Sequence, residues 1–220
     1  MKELTKLFMS QHTQQTMLES GAPAISRHSS TSSVVSSYDL AIAAIRDRIA
    51  VLPSILENGP ELAGDWIYES VRIAALIYTQ AIIHRLPFSS AADLIPGFLS
   101  RPQPSQNTNL PVLLYEALYN TDTSQCWGDL NGVYHWVALT GATAARQTSI
   151  PSQGSLGLVT EEQQYRIWVR RCLSMYATRA RMKLQFKHPT SVIVALSTFS
   201  RIQEILGASD DWRTGVDWSL

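Results

Sequence analysis

Apolar residues recur along this chain at the three-to-four-residue spacing of helices, and no run alternates in the two-residue manner of a strand. Residues 2–18 place Leu4, Leu7, Phe8 and Leu18 on one side of a short amphipathic helix. Residues 19–37 are rich in serine and poor in large apolar groups, the composition of a flexible linker. Asp39 is then a good N-cap for a helix carrying Ile42, Ile45, Ile49 and Leu52, which Pro53 ends. After a turn at 57–60, a long helix is expected from Glu61 to about Leu86. Ile67, Val71, Ala74, Tyr78 and Ile82 form one face, Trp66, Ile73 and Ile77 widen it, and Glu69, Arg72 and Gln80 make a narrow polar stripe. A helix this apolar around its circumference belongs inside a helical assembly.

The next stretch is punctuated by Pro87, Pro96, Pro102 and Pro104 and reads as mostly irregular, with one short helical turn at Ala92 to Phe98. A helix from about Leu110 to Tyr119 follows, with Pro111 in its first turn where the missing N–H costs little. The helix from about Leu130 to Gln147 carries Leu130, Val133, Tyr134, Val137, Gly141 and Ala144 on one face, with Trp136 and Leu139 on other sides. Gly141 costs about 1 kcal/mol relative to alanine inside a helix, so it needs a compensating reason. Together with Ala142, Ala144 and Ala145 it clears room for a close helix crossing, a kink or ligand pocket there being the alternative.

From about Glu161 to Phe186 the apolar positions are Tyr165, Trp168, Val169, Cys172 and Tyr176, with carboxylates in the first turn where the helix dipole favours them. Arg166, Arg170, Arg171, Arg179, Arg181, Lys183 and Lys187 read as a solvated basic face, although basic amphipathic helices also contact nucleic acids and membrane surfaces. Thr190 is a plausible cap for a last helix with Val192, Ala195, Leu196, Phe199 and Leu206, which Gly207 ends. The expected class is all-α, an irregular multi-helix assembly with long buried helices. Its expected division is an N-terminal helix and linker over 1–37, one all-α regulatory-type domain over 38–207, and a tail over 208–220.

Composition narrows the function classes. A 220-residue chain with 45% hydrophobic and 16% charged residues holds enough material for a sizeable core. Net charge is zero, so no global field draws nucleic acid or an anionic membrane. Two cysteines, Cys126 and Cys172, make neither a disulfide framework nor a zinc site. The N-terminus lacks a signal-peptide core, and the most apolar stretch, 73–83, is far short of a membrane span. A soluble intracellular protein is expected, with no membrane partner.

Candidate chemistry is sparse. His12, His28, His84, His135 and His188 share no metal-ligand spacing, and no phosphate-binding or nucleophile motif is present. His84 reads as a helix-end histidine, while His135 sits in a more polar setting where it could face a cavity. Glu69 and Arg72 read as a helix pair rather than an acid/base unit. Arg27-His28-Ser29-Ser30 is a phosphate acceptor pattern or plain linker, and Asp210-Asp211 a magnesium pair or a solvated tail after a helix stop. No catalytic or metal-binding residues are assigned, no cofactor is called, and cofactor-binding residues stay open.

The order of elements in 61–206 resembles the C-terminal half of the regulatory (middle homology-type) domain of fungal zinc-cluster transcription factors. Glu69, Arg72, Ala74, Ala75, Leu76 and Tyr78 match a recurring helix of that family. Trp136, Leu139, Gly141, Ala144 and Ala145 look like its next apolar helix, Tyr165 to Leu173 like its spaced-aromatic helix, and 190–206 like its terminal one. The six-cysteine zinc cluster that reads DNA in the family is lacking here. The resemblance therefore implies a non-catalytic, ligand-responsive or partner-contacting module in a nuclear, fungal setting, from a truncated gene product, a diverged paralogue or a fragment, with no zinc-cluster DNA binding of its own. A helical small-ligand protein or enzyme with a buried cavity near Trp136, Gly141 and Trp168 is the second reading. A plain protein-interaction scaffold is the third.

Overall fold

The computed structural model describes residues 2–20, 31–55, 65–93, 109–121, 127–146 and 160–214. Every regular element among them is helical, so the all-α class holds: eight α-helices and one short 3-10 turn. The chain forms two compact units, Met1–Leu52 and Pro53–Leu220. This boundary lies fifteen residues beyond the start expected for the regulatory-type domain (38 against 53).

The first unit is a helix pair, α1 (Lys2–Ser20) packed against α2 (Thr31–Ala50). Leu4, Phe8 and Ile42 are buried, as their spacing requires. The start of α2 differs from expectation. It lies at Thr31, so 31–37 are helical and Asp39 is an interior residue rather than the N-cap. No glycine or proline interrupts 31–50, and serine's mild helix penalty does not stop a helix.

In the second unit α3 (Trp66–His84) is the central helix, packed against α4 (Phe88–Asp93), α5 (Leu110–Tyr119) and α6 (Asn131–Ala144). Asp65 caps α3 by accepting a 2.9 Å bond from the Tyr68 amide. Its far end closes with Arg85 at φ 51° and the Leu86 N–H reaching back 3.0 Å to the Ala81 carbonyl, a left-handed stop. Ile73 through Thr79 are all buried, which is what an apolar circumference demands.

The stretch after Pro87 is not irregular throughout. Phe88–Asp93 is a short helix, and the expected turn at 92–98 falls largely outside the described residues. Phe88 anchors it, stacked on Phe199 at 5.3 Å and tilted on Tyr78 at 5.6 Å. A buried aromatic contact supplies what this short segment lacks in helix length.

The unit closes with α7 (Glu161–Lys187) laid along α6, and α8 (Pro189–Thr214) packed on α7. Thr160 and Gln163 form a reciprocal capping box at the start of α7. Gly141 sits at the crossing, where an added Cβ would lie 2.8 Å from Leu114 Cδ2 and 3.2 Å from both Leu173 methyls. Close packing therefore fills the side of Gly141 where a pocket was the alternative.

Two expectations about the last helices are corrected. Thr190 is inside α8, which begins at Pro189, and Gly207 does not end it. Proline suits a first helical position, and one glycine costs too little to stop a helix with no proline after it. Asp210-Asp211 accordingly belong to α8 rather than to a tail. Among the described residues no helix is long and apolar enough to cross a membrane.

Candidate functional site

Where α7 turns into α8, the chain makes a corner around one residue. The His188 N–H donates to the Leu184 carbonyl at 2.7 Å, and the His188 carbonyl accepts from the Val192 N–H at 3.1 Å. The 3-10 turn Gly128–Leu130 and the first turns of α6 face this corner, held partly by an Asn131 Nδ2 bond to the Gly128 carbonyl. Between them lies a cleft of about 430 Å³. Asp129, Asn131, Gly132 and His135 line one side; Leu184 and Lys187 come from α7, His188 from the corner, and Ser191, Val192 and Ala195 from α8.

His135 is the group that sets this cleft apart. It is only 5% exposed, and no hydrogen bond reaches its imidazole among the described residues. Burial, then the charge of Arg181, hold its pKa below the ordinary 6.5. At neutral pH the ring is therefore uncharged, with one donor and one acceptor nitrogen available. No group of three or more histidine, cysteine, aspartate or glutamate side chains among the described residues is arranged to hold a metal ion.

A second cluster surrounds Glu69. Its carboxylate accepts from Arg72 Nη2 at 2.6 Å and Nε at 2.9 Å, from Ser54 Oγ at 2.9 Å and from the Ile55 amide at 3.3 Å. Both charged side chains are almost fully buried. Burial alone raises the Glu69 pKa, but the bonds and charge of Arg72, helped by Ser54 and Ile55, outweigh it and hold the group below the ordinary 4.5. The helix-pair reading of Glu69 and Arg72 stands. The segment 53–55 covers the pair, through Ser54 and the Ile55 amide.

An aromatic string runs from the surface inward. Tyr165 stacks on Trp168 at 5.7 Å, Trp168 meets Tyr115 edge-on at 4.9 Å, and Tyr176 bridges from Tyr115 to Tyr134, which tilts on Trp127 at 5.1 Å. Trp127 is the buried end; its Nε1 donates to Thr121 Oγ1 at 3.0 Å. Burial, reinforced by Tyr176, pushes the Tyr134 phenol up to about 12, and its hydroxyl is buried without a hydrogen-bond partner among the described residues. Cys172 is a free thiol whose pKa burial pushes up.

The structure reorients α7. Val169, Leu173, Ala177 and Ala180 are its buried positions, while Tyr165 and Trp168 are 40% and 46% exposed and Cys172 and Tyr176 half-buried. Small residues on the contact face let α7 approach α6 closely, so the large aromatics flank the seam instead of filling it. Arg170, Arg171, Arg179, Arg181, Lys183 and Lys187 are exposed, as a solvated face requires. His84 is exposed at the end of α3, a helix-end histidine. Arg27 to Ser30, Cys126 and His28 lie outside the described residues.

Comparison with protein-family models, curated proteins and solved structures finds no match.

The two depressed pKa values predict how acid acts on the fold. His135 charges more readily when unfolded, so its contribution is complete above pH 6.5 and declines as pH falls toward its lower folded value. Glu69 keeps its contribution above pH 4.5 and loses it as pH falls through its folded value. Thermal melting is expected to weaken in two successive stages on acidification. His135→Gln should remove the stage that begins at pH 6.5 and leave the one below pH 4.5. A first stage of full size in that variant would disprove the assignment to His135.

Proposed function

We propose that this chain is a non-catalytic helical regulatory module that docks an acidic, amphipathic segment of a partner protein along the outer face of α7. The observation that supports docking is a stripe of exposed apolar and basic residues. Met175, Met182 and Phe186 follow at seven- and four-residue steps on one face, and Phe186 is 90% exposed. Arg171 and Arg179 flank Met175 one turn on either side, and Lys183 precedes Phe186 by three positions. No acidic residue follows Glu162 in this helix, although the chain as a whole is neutral. Flexible methionines beside a large aromatic suit an apolar helix face, and the interleaved cations select a partner rich in Glu and Asp.

The strongest ionisable cluster, Glu69 with Arg72, is engaged internally, and Tyr134 stays protonated at neutral pH, which favours a binding role over catalysis. The setting in transcription and in the nucleus is proposed on the resemblance in helix order alone. A protein partner is favoured over a membrane because the cations interrupt the stripe, leaving no broad apolar face to insert.

The test is fluorescence anisotropy with a labelled acidic amphipathic peptide, its lysine-substituted counterpart, duplex DNA and anionic vesicles. Saturable binding of the acidic peptide only is expected, weakened at least tenfold by Arg179→Glu with Lys183→Glu, because each added repulsion near the contact costs roughly a factor of several. Preference for DNA or vesicles would overturn the reading. For the transcriptional part, the chain tethered at a reporter promoter should change its output, and no change would remove that part while leaving docking intact.

A further inference from the structure

We propose that the cleft between the start of α6 and the α7–α8 corner is a binding site for a small organic carboxylate with an apolar body. Three independent features converge on it. His135 is 95% buried (5% exposed), faces the cleft, and is without a hydrogen bond among the described residues. Its ring nitrogens keep access to the cleft, where a ligand oxygen can accept from the N–H. Lys187 lines the same space without an ion pair among the described residues, beside the first turn of α8, where the amide of Ser191, also in the lining, precedes the first intrahelical bond made by Val192. An ammonium, a helix-start amide and an imidazole N–H form a donor set for a carboxylate.

The rest of the lining decides the class of ligand. Leu184, Val192 and Ala195 give an apolar wall, which an inorganic anion would leave unused. The space of about 430 Å³ suits a metabolite-sized molecule. Asp129 is the one carboxylate in the lining; it is exposed, so water screens its repulsion. Gly132 lines the cleft and is exposed, and nothing lies within 4 Å of the position its Cβ would take, so a side chain there has open space beside the cleft. The site is separate from the α7 stripe, and it stands or falls independently of peptide docking.

The experiment follows the His135 imidazole resonances of the full chain by NMR during titration with hexanoate, hexan-1-ol or inorganic phosphate. Hexanoate is expected to shift them saturably and to bind at least tenfold more tightly than either other probe, as a charge-assisted contact combined with apolar burial requires. Gly132→Phe, which places a large ring at the cleft lining, should abolish saturation. Lys187→Gln, at an exposed position, should weaken hexanoate about tenfold while leaving acidic-peptide binding unchanged. Hexan-1-ol or phosphate binding as tightly as hexanoate would overturn the proposal. So would unchanged hexanoate affinity in Lys187→Gln, which remains a valid test even if Gly132→Phe fails to fold.

Discussion

Arg72→Ala is expected to destabilise the Pro53–Leu220 unit by about 3–5 kcal/mol, the usual cost of removing one partner from a buried ion pair. The guanidinium supplies two of the four bonds that Glu69 accepts, at 2.6 and 2.9 Å, and its charge is what keeps a buried carboxylate ionised. Without it Glu69 retains only Ser54 and the Ile55 amide. The carboxyl should then prefer to be protonated, with a folded pKa above the ordinary 4.5. The sign of its pH dependence therefore reverses. In the variant the Glu69 term favours folding at low pH and is lost as pH rises through the new folded value, so the deficit against wild type narrows on acidification. Removing both charges in Glu69→Gln with Arg72→Met should cost less than Arg72→Ala alone, since no ion is left stranded. Urea unfolding followed by tryptophan fluorescence measures this unit specifically, because Trp66, Trp127, Trp136 and Trp168 lie in it and Met1–Leu52 contains no tryptophan. A loss below about 1 kcal/mol, the level of an exposed pair, would show that the pair is solvated.

The same cluster marks how far sequence reasoning reaches. That Glu69 and Arg72 pair is legible from their three-residue spacing on a helix, and that α3 is central is legible from apolar residues all around it. Their burial is not, because the covering groups come from Ser54 and Ile55, fifteen and fourteen residues before Glu69 and outside any helical period. In α7 two helically spaced stripes compete and share Val169: the expected Tyr165-Trp168-Val169-Cys172-Tyr176, and Val169-Leu173-Ala177-Ala180. Side-chain size favours the first as core. The structure buries the second, with Leu173 packed against Gly141 at the crossing. The capping box at Thr160 and Gln163 was a readable signal for the start of α7, whereas the stop assigned to Gly207 gave one glycine more weight than its energy supports. His135 could be marked as polar in setting from its neighbours. Its cleft could not, because two of its walls come from the α7–α8 corner some fifty residues away.

The crossing at Gly141 yields the other large effect. Leu173→Ala is expected to cost about 2–5 kcal/mol, since its side chain is fully buried and its methyls meet α6 at the glycine. Gly141→Val acts in the opposite way, by overpacking. Its Cβ would lie 2.8 Å from Leu114 Cδ2 and 3.2 Å from the Leu173 methyls, and both leucines are fully buried, so neither moves without displacing further side chains. Overpacking of this kind costs about 1–3 kcal/mol. Gly141→Ala should lose less, because the gain in helix propensity, about 1 kcal/mol, offsets part of the clash. The decisive variant is the double one. Valine at 141 occupies space that alanine at 173 vacates, so the two changes should compensate and the pair should be less destabilised than the sum of the singles by about 0.5–3 kcal/mol. Compensation should remain incomplete, because the 2.8 Å contact with Leu114 on α5 is untouched by any change at 173. Additive costs in urea unfolding would mean that α6 and α7 do not meet at these two residues. That result would also remove the reason a glycine sits inside α6, whose packing against α7 leaves Tyr165 and Trp168 beside the seam.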